Sequence, residues 1–178
     1  MIVSTIVRRL LVVPLAPNDH GKSALLRALL SQATQLSQAR PHMGVRELRT
    51  PWGRRVDALV FIRSFQEKLS KDYKGSVVRA LDGEDPDWRE RDLIILSSHV
   101  VPLDCQQILD AGHQAGFDDI LVPVLLAPSE LLSYGPCMAL PWDERWTLSN
   151  PTNSDPDAQL EALGRDLWVR VAAALTGQ

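Results

Sequence analysis

The chain reads as an α/β domain, a three-layer, mostly parallel sheet with helices on both faces, and three observations predict it. Short, almost wholly apolar runs at Leu10–Leu15 and Leu93–Leu96 fit strands covered on both sides. Apolar residues at helical spacing follow the first run, at Leu25, Leu26, Leu29, Leu30, Ala33 and Leu36, and a second such stripe comes late, at Leu160, Leu163, Leu167, Val171 and Leu175. Strands thus alternate with helices, the order that builds parallel crossovers. With 178 residues, 45% hydrophobic and 23% charged, a single domain over 1–178 with a substantial core is expected.

Taken in order, Leu10–Leu15 follows the basic pair Arg8-Arg9, superficially like a secretory signal. The run is short for that role and leads straight into Gly21-Lys22-Ser23, so it is read as a buried strand. Residues 40–44, with Pro41 and Gly44, read as a connection. From about Val45 to Ile62 two strands flank Thr50-Pro51-Trp52-Gly53, where proline second and glycine fourth favour a type I turn, and a β-hairpin at about 45–62 is expected. Gln66 to Leu81 has helical character interrupted by Gly75, and Asp82 to Arg91 reads as a charged loop. Ser97-Ser98-His99 ends the run at Leu93–Leu96; Asp104 is placed to cap a helix reaching about Ala115, with Gly116 its stop. Ile120 to Leu126 is a further strand in which Pro123 points to an edge or an irregularity. A short Ser129-capped helix, an irregular or briefly extended stretch from Trp142 to Asn150, and a final helix from Asp155 or Asp157 complete the reading.

Composition narrows the function classes. A formal charge of -3 gives no global reason to expect nucleic acid or an anionic membrane as partner. No segment approaches the ~20 apolar residues of a membrane span. Cys105 and Cys137 have no metal-ligand spacing and do not suggest a disulfide scaffold, so a reducing cytoplasm is the expected setting. His42, His99 and His113 likewise show no spacing that suggests a metal cluster. No G-x-S-x-G nucleophile elbow is present. The five tryptophans, at 52, 88, 142, 146 and 168, offer stacking surfaces for a base or partner, but burial in the fold is the commoner fate.

The stretch with the most chemistry is Ala16-Pro17-Asn18-Asp19-His20-Gly21-Lys22-Ser23, with Ala24 after it, lying between the first strand and the first helix. It resembles the Walker A motif, G-x-x-x-x-G-K-[ST], of P-loop nucleoside triphosphatases and kinases, with Ala16 in the first glycine's place. The resemblance implies a P-loop NTPase-like fold and binding of ATP or GTP with Mg2+. Loop N–H groups and the positive end of the following helix would surround phosphate oxygens. Lys22 would reach the β and γ phosphates, Ser23 would hold the metal, and Gly21 would let the backbone approach. His20 is placed to contact a phosphate or to move a proton. In a kinase of this type lid arginines neutralise the transferring group, and Arg89 and Arg91 have the character for that role, although a surface loop whose charges pair locally is the commoner arrangement.

Three features depart from the family pattern. Ala16 has no easy access to positive φ. Asp19 adds a negative charge beside the phosphates. The strand-end aspartate that holds Mg2+ in the family is absent, because Leu93–Leu96 ends in Ser97-Ser98, while Asp92 and Asp57 each lie at the wrong end of their runs. Ser97, Ser98 or His99 would reach the metal through water, and Asp104 is the nearest downstream carboxylate, although capping and turn chemistry explains all four as well. Asp72-Tyr73-Lys74-Gly75 matches D-x-x-G only by letters, and N-K-x-D is missing apart from a vague Ser149-Asn150-Pro151-Thr152-Asn153, so a GTPase of the usual kind is not expected. Two readings stay open: a phosphotransferase or nucleoside triphosphatase, and a catalytically degenerate P-loop-fold regulatory module that binds a protein partner.

Overall fold

The computed structural model describes residues 5–34, 44–69, 73, 75–151 and 156–178; Leu36, Pro41, His42, Asp72, Lys74, Thr152, Asn153 and Asp155, named above, lie outside them. The strands are β1 Leu10–Leu15, β2 Gly44–Arg49, β3 Arg55–Phe61, β4 Leu93–Leu96, β5 Asp118–Leu125, β6 Glu144–Arg145 and β7 Leu148–Ser149. The helices are α1 Lys22–Thr34, α2 Gln66–Leu69, α3 Val77–Glu84, α4 Pro102–Ala115, α5 Gly135–Met138 and α6 Pro156–Thr176. Short 3-10 turns occupy Trp88–Glu90 and Pro128–Tyr134.

One sheet runs in the order β2-β3-β4-β1-β5-β6, with β7 also on β5, and every pairing is parallel except the β2–β3 hairpin. The hairpin turn closes through a hydrogen bond from Gly53 N to Thr50 O, 2.9 Å. Alternation along β1 divides the core. Leu10 and Val12 face one way, into a cluster with Leu25, Leu29, Leu167 and Val171 of α1 and α6; Leu11, Val13 and Leu15 face the other, with Ala80, Leu81, Ile108 and Leu109 of α3 and α4. Both faces of β1 are therefore dry, which is why its sequence is continuously apolar.

Several local readings differ from expectation. The charged stretch after Leu81 is not all loop, since α3 continues to Glu84 and Trp88 turns inward to be buried. Ser76 caps that helix, its Oγ accepting from Arg79 N. Asp104 is not the cap of α4; Val101 holds that position, Pro102 opens the helix and Asp104 lies in its first turn, while Gly116 stops it at φ 76°. Pro123 sits in an interior strand. It is tolerated because β6 pairs with Ile120 and Leu121 and β7 with Val124 and Leu125, so Pro123 falls where neither strand needs its N–H. Ser129 does not cap the turn after β5; Glu130 reaches back to accept from Leu126 N at 2.7 Å. Cys105 and Cys137, remote in sequence, are both buried free thiols.

Four tryptophans, 88, 142, 146 and 168, are buried, and only Trp52 at the hairpin turn is substantially exposed. Among the described residues no helix is long and apolar enough to cross a membrane.

Candidate functional site

Chain topology creates a crevice at the carboxyl ends of β1 and β4. The connection leaving β1 enters α1 on one face of the sheet, and the connection leaving β4 enters α4 on the other. Neighbouring strands whose crossovers part in this way open a cleft between them, the usual place for a ligand in such sheets. Here the cleft is a cavity of about 450 Å³ lined by residues 17–24, Arg27, Ser64, Glu67 and His99. Of the phosphate-loop residues named from sequence, Pro17, Asn18, Asp19, His20, Gly21, Lys22, Ser23 and Ala24 all lie on it.

Ala16 is buried behind this wall, where its N–H donates to Ser98 O at 3.3 Å and ties the loop to the end of β4. Positive φ is needed elsewhere, at Asp19 (63°) and Gly21 (83°), so alanine at 16 is no obstacle to the turn. Asp19 is exposed. Gly21 has a second constraint, because a Cβ there would stand 3.0 Å from Asn150 Nδ2 and 3.4 Å from Leu160 Cδ2. Asn150 is a brace for the loop: its amide donates to His20 O at 3.2 Å and its own oxygen accepts from Gln159 Nε2 at 2.7 Å.

His20 is held at both ring nitrogens, with Nδ1 donating to Asn18 O at 3.0 Å and Nε2 3.1 Å from Glu130 Oε1. Glu130 is kept below the ordinary carboxylate range, first by Leu126 N–H, and also by Ala127 N–H and His20. The first helical bond of α1 runs from Leu25 N to Gly21 O, 2.8 Å, so the N–H groups of Lys22, Ser23 and Ala24 have no acceptor within the helix. These donors sit at the positive end of a 13-residue helix, beside the cavity.

Lys22 is 7% exposed, and its ammonium folds back over the loop, donating to Ala16 O and, at 3.0 Å, to Pro17 O. Burial pulls its pKa down to about 8, with the Glu67 carboxylate opposing. His99 Nδ1 lies 3.4 Å from Lys22 Nζ. Desolvation, then the Lys22 charge, holds the imidazole below its usual range. Ser23 Oγ donates to Ile62 O at 3.4 Å, just past the end of β3.

The substitutes weighed for the missing aspartate divide. Ser97 and Ser98 are fully buried. Ser98 Oγ and Asp104 Oδ2 both accept from Gln66 Nε2, at 2.8 and 3.0 Å, so Asp104 secures the β3–α2 connection and does not line the cavity. Only His99 of the four does. The carboxylate the cavity does have, besides Asp19, is Glu67 of α2, which sequence reasoning passed over.

Arg89 and Arg91 are not brought to this site. They precede β4, at the opposite end of the sheet, a strand length or roughly 15–20 Å away. Each is already engaged: Arg89 Nη1 with Asp82 Oδ1 at 2.7 Å while stacking on Trp88, and Arg91 with the buried Asp85 at 2.8 Å. The arginine that does line the cavity is Arg27, one helical turn past Ser23 and on the same face, a spacing that could have identified it. Ser64 and Glu67 carried no such signal, since only the pairing of β3 with β4 brings residues 62–67 to the loop.

No protein-family model matches the chain, and a search of curated proteins returns no match.

Proposed function

We propose that the chain is a nucleotide-binding protein of the P-loop type, a three-layer α/β domain that takes ATP or GTP, with Mg2+, at residues 17–24. The observation that carries this reading is the joint placement of Lys22 and the free N–H groups of Lys22, Ser23 and Ala24 on one cavity at the end of β1. Phosphate oxygens would replace the carbonyls of Ala16 and Pro17 as partners of the Lys22 ammonium. The Ser23 hydroxyl and the Glu67 carboxylate are hard oxygen donors on the same cavity and suit Mg2+. The metal would neutralise charge on the β and γ phosphate oxygens. Arg27, exposed at the cavity rim, would add a second cation in place of the remote Arg89 and Arg91.

A second reading, a regulatory module that binds nucleotide or a protein partner without turnover, is favoured by one specific feature. The end of β4 offers Ser97, Ser98 and a His99 held towards neutrality, where a hydrolase of this type would place a carboxylate.

Calorimetric titration with ATP and with GTP in Mg2+, repeated on Lys22→Ala, tests the binding claim. Saturable binding that the variant loses is expected, and no binding by the intact chain would refute it. Phosphate release from the bound nucleotide then separates the two readings.

A further inference from the structure

At the other end of the sheet from the nucleotide cavity, three residues that no sequence spacing connects converge: His113 in the last turn of α4, Asp119 near the start of β5, and Asp143 just before β6. One ligand atom from each lies within 4.8 Å of the others. His113 Nε2 is 2.9 Å from Asp119 Oδ2 and 4.0 Å from Asp143 Oδ2. Three ligands around one tetrahedral ion at about 2.0–2.2 Å stand roughly 3.3–3.6 Å apart, so these separations bracket what such an ion needs.

Asp119 sets the cluster apart from an ordinary surface group. It is 0% exposed, and neither carboxylate oxygen accepts a hydrogen bond. A buried carboxylate without donors is costly, and native structures rarely keep one without a counter-charge. The fold makes room for it at Gly112, where a Cβ would come within 2.1 Å of Asp119 Oδ1. Asp143 is oriented by its own bond, Oδ2 accepting from Asp119 N at 2.8 Å. His113 and Asp143 are 43% and 46% exposed on their side chains, which leaves an entry path from solvent.

We infer that His113, Asp119 and Asp143 form a binding site for a divalent transition ion of the Zn2+ class, linking α4, β5 and the segment before β6. One imidazole with two carboxylates favours such an ion over Mg2+, which prefers an all-oxygen, octahedral shell. The dication would supply a fixed positive charge to a carboxylate that now faces only the His113 imidazole, 2.9 Å away. The site is separate from the nucleotide cavity and does not depend on how that cavity functions.

Cobalt(II) is the probe. The full chain, stripped with chelator and titrated with Co2+, should develop the visible absorption of a low-coordinate nitrogen and oxygen site, displaced by Zn2+. His113→Gln and Asp143→Asn, both partly exposed and therefore expected to fold, should each weaken Co2+ affinity about tenfold or more. Circular dichroism checks their folding, and Ser23→Ala, at the other cavity, should leave the cobalt spectrum intact. The inference is overturned if the chain binds no Co2+ at millimolar concentration, or if both variants bind it as the parent does.

Discussion

The Asn150 side-chain amide donates to the His20 carbonyl across 130 residues of chain, at 3.2 Å, and pins the middle of the loop between β1 and α1 to the segment after β7. The same nitrogen would stand only 3.0 Å from a Cβ on Gly21. Asn150 therefore shapes the loop. Asn150→Ala should cost about 1 kcal/mol of stability through the lost hydrogen bonds and loosen nucleotide binding several-fold, measured by thermal melts and by titration. Gly21→Ala should be worse, since it combines φ of 83° with a 3.0 Å contact; a loss of about 1–3 kcal/mol and of measurable nucleotide binding is expected.

Asp19→Gly should act in the opposite direction. Asp19 holds φ 63°, which glycine adopts freely, and it lines the cavity proposed to take phosphate. Replacement should keep the loop geometry and raise ATP affinity a few-fold at low salt, with the gain shrinking as ionic strength rises. Equal affinities in the two proteins would mean that the bound anion is remote from Asp19.

The buried ammonium of Lys22 makes binding depend on pH. Its pKa is near 8 in the folded chain against 10.5 for the unperturbed group, because burial disfavours the charged form. Below pH 8 the folded protein carries the charge at a cost; between 8 and 10.5 the unfolded chain binds more protons, so this residue's contribution to stability rises with pH. Phosphate favours the charged form, so nucleotide affinity should be greatest below pH 8 and decline above it. Titrations at successive pH values should show that decline in the parent protein, with Lys22→Ala lacking a comparable step.

Arg91→Ala separates a structural arginine from a lid arginine. Its guanidinium makes two hydrogen bonds to Asp85, which is 4% exposed and would be left buried with one backbone donor, Asp87 N at 3.1 Å. Denaturant unfolding should show a loss of about 2–3 kcal/mol, while nucleotide affinity in the folded protein stays unchanged. A fall in affinity with unchanged stability would place Arg91 at the ligand.

What could be read from the chain depended on how local its cause was. Leu10–Leu15 and the spacing of Leu25, Leu26, Leu29 and Leu30 betray β1 and α1 because each pattern repeats within its own element. Thr50-Pro51-Trp52-Gly53 likewise carries its own turn chemistry. Pro123 misled, since its tolerance depends on where two later strands stop, as did the lid reading of Arg89 and Arg91: their partners Asp82, in the last turn of α3, and Asp85, just after it, are near in sequence, but their distance from the cavity depends on strand direction. Glu67 was invisible as a site residue, and so was the meeting of His113 with Asp143, because only the order of strands in the sheet brings them into place.

The most direct test of the central claim is a map of backbone amide shifts on adding Mg2+ and ATP to isotopically labelled protein, with Mg2+ alone as the reference. The largest changes are expected at Gly21, Lys22, Ser23 and Ala24, followed by His99 and Glu67. An unchanged loop, or changes confined to another surface, would contradict it.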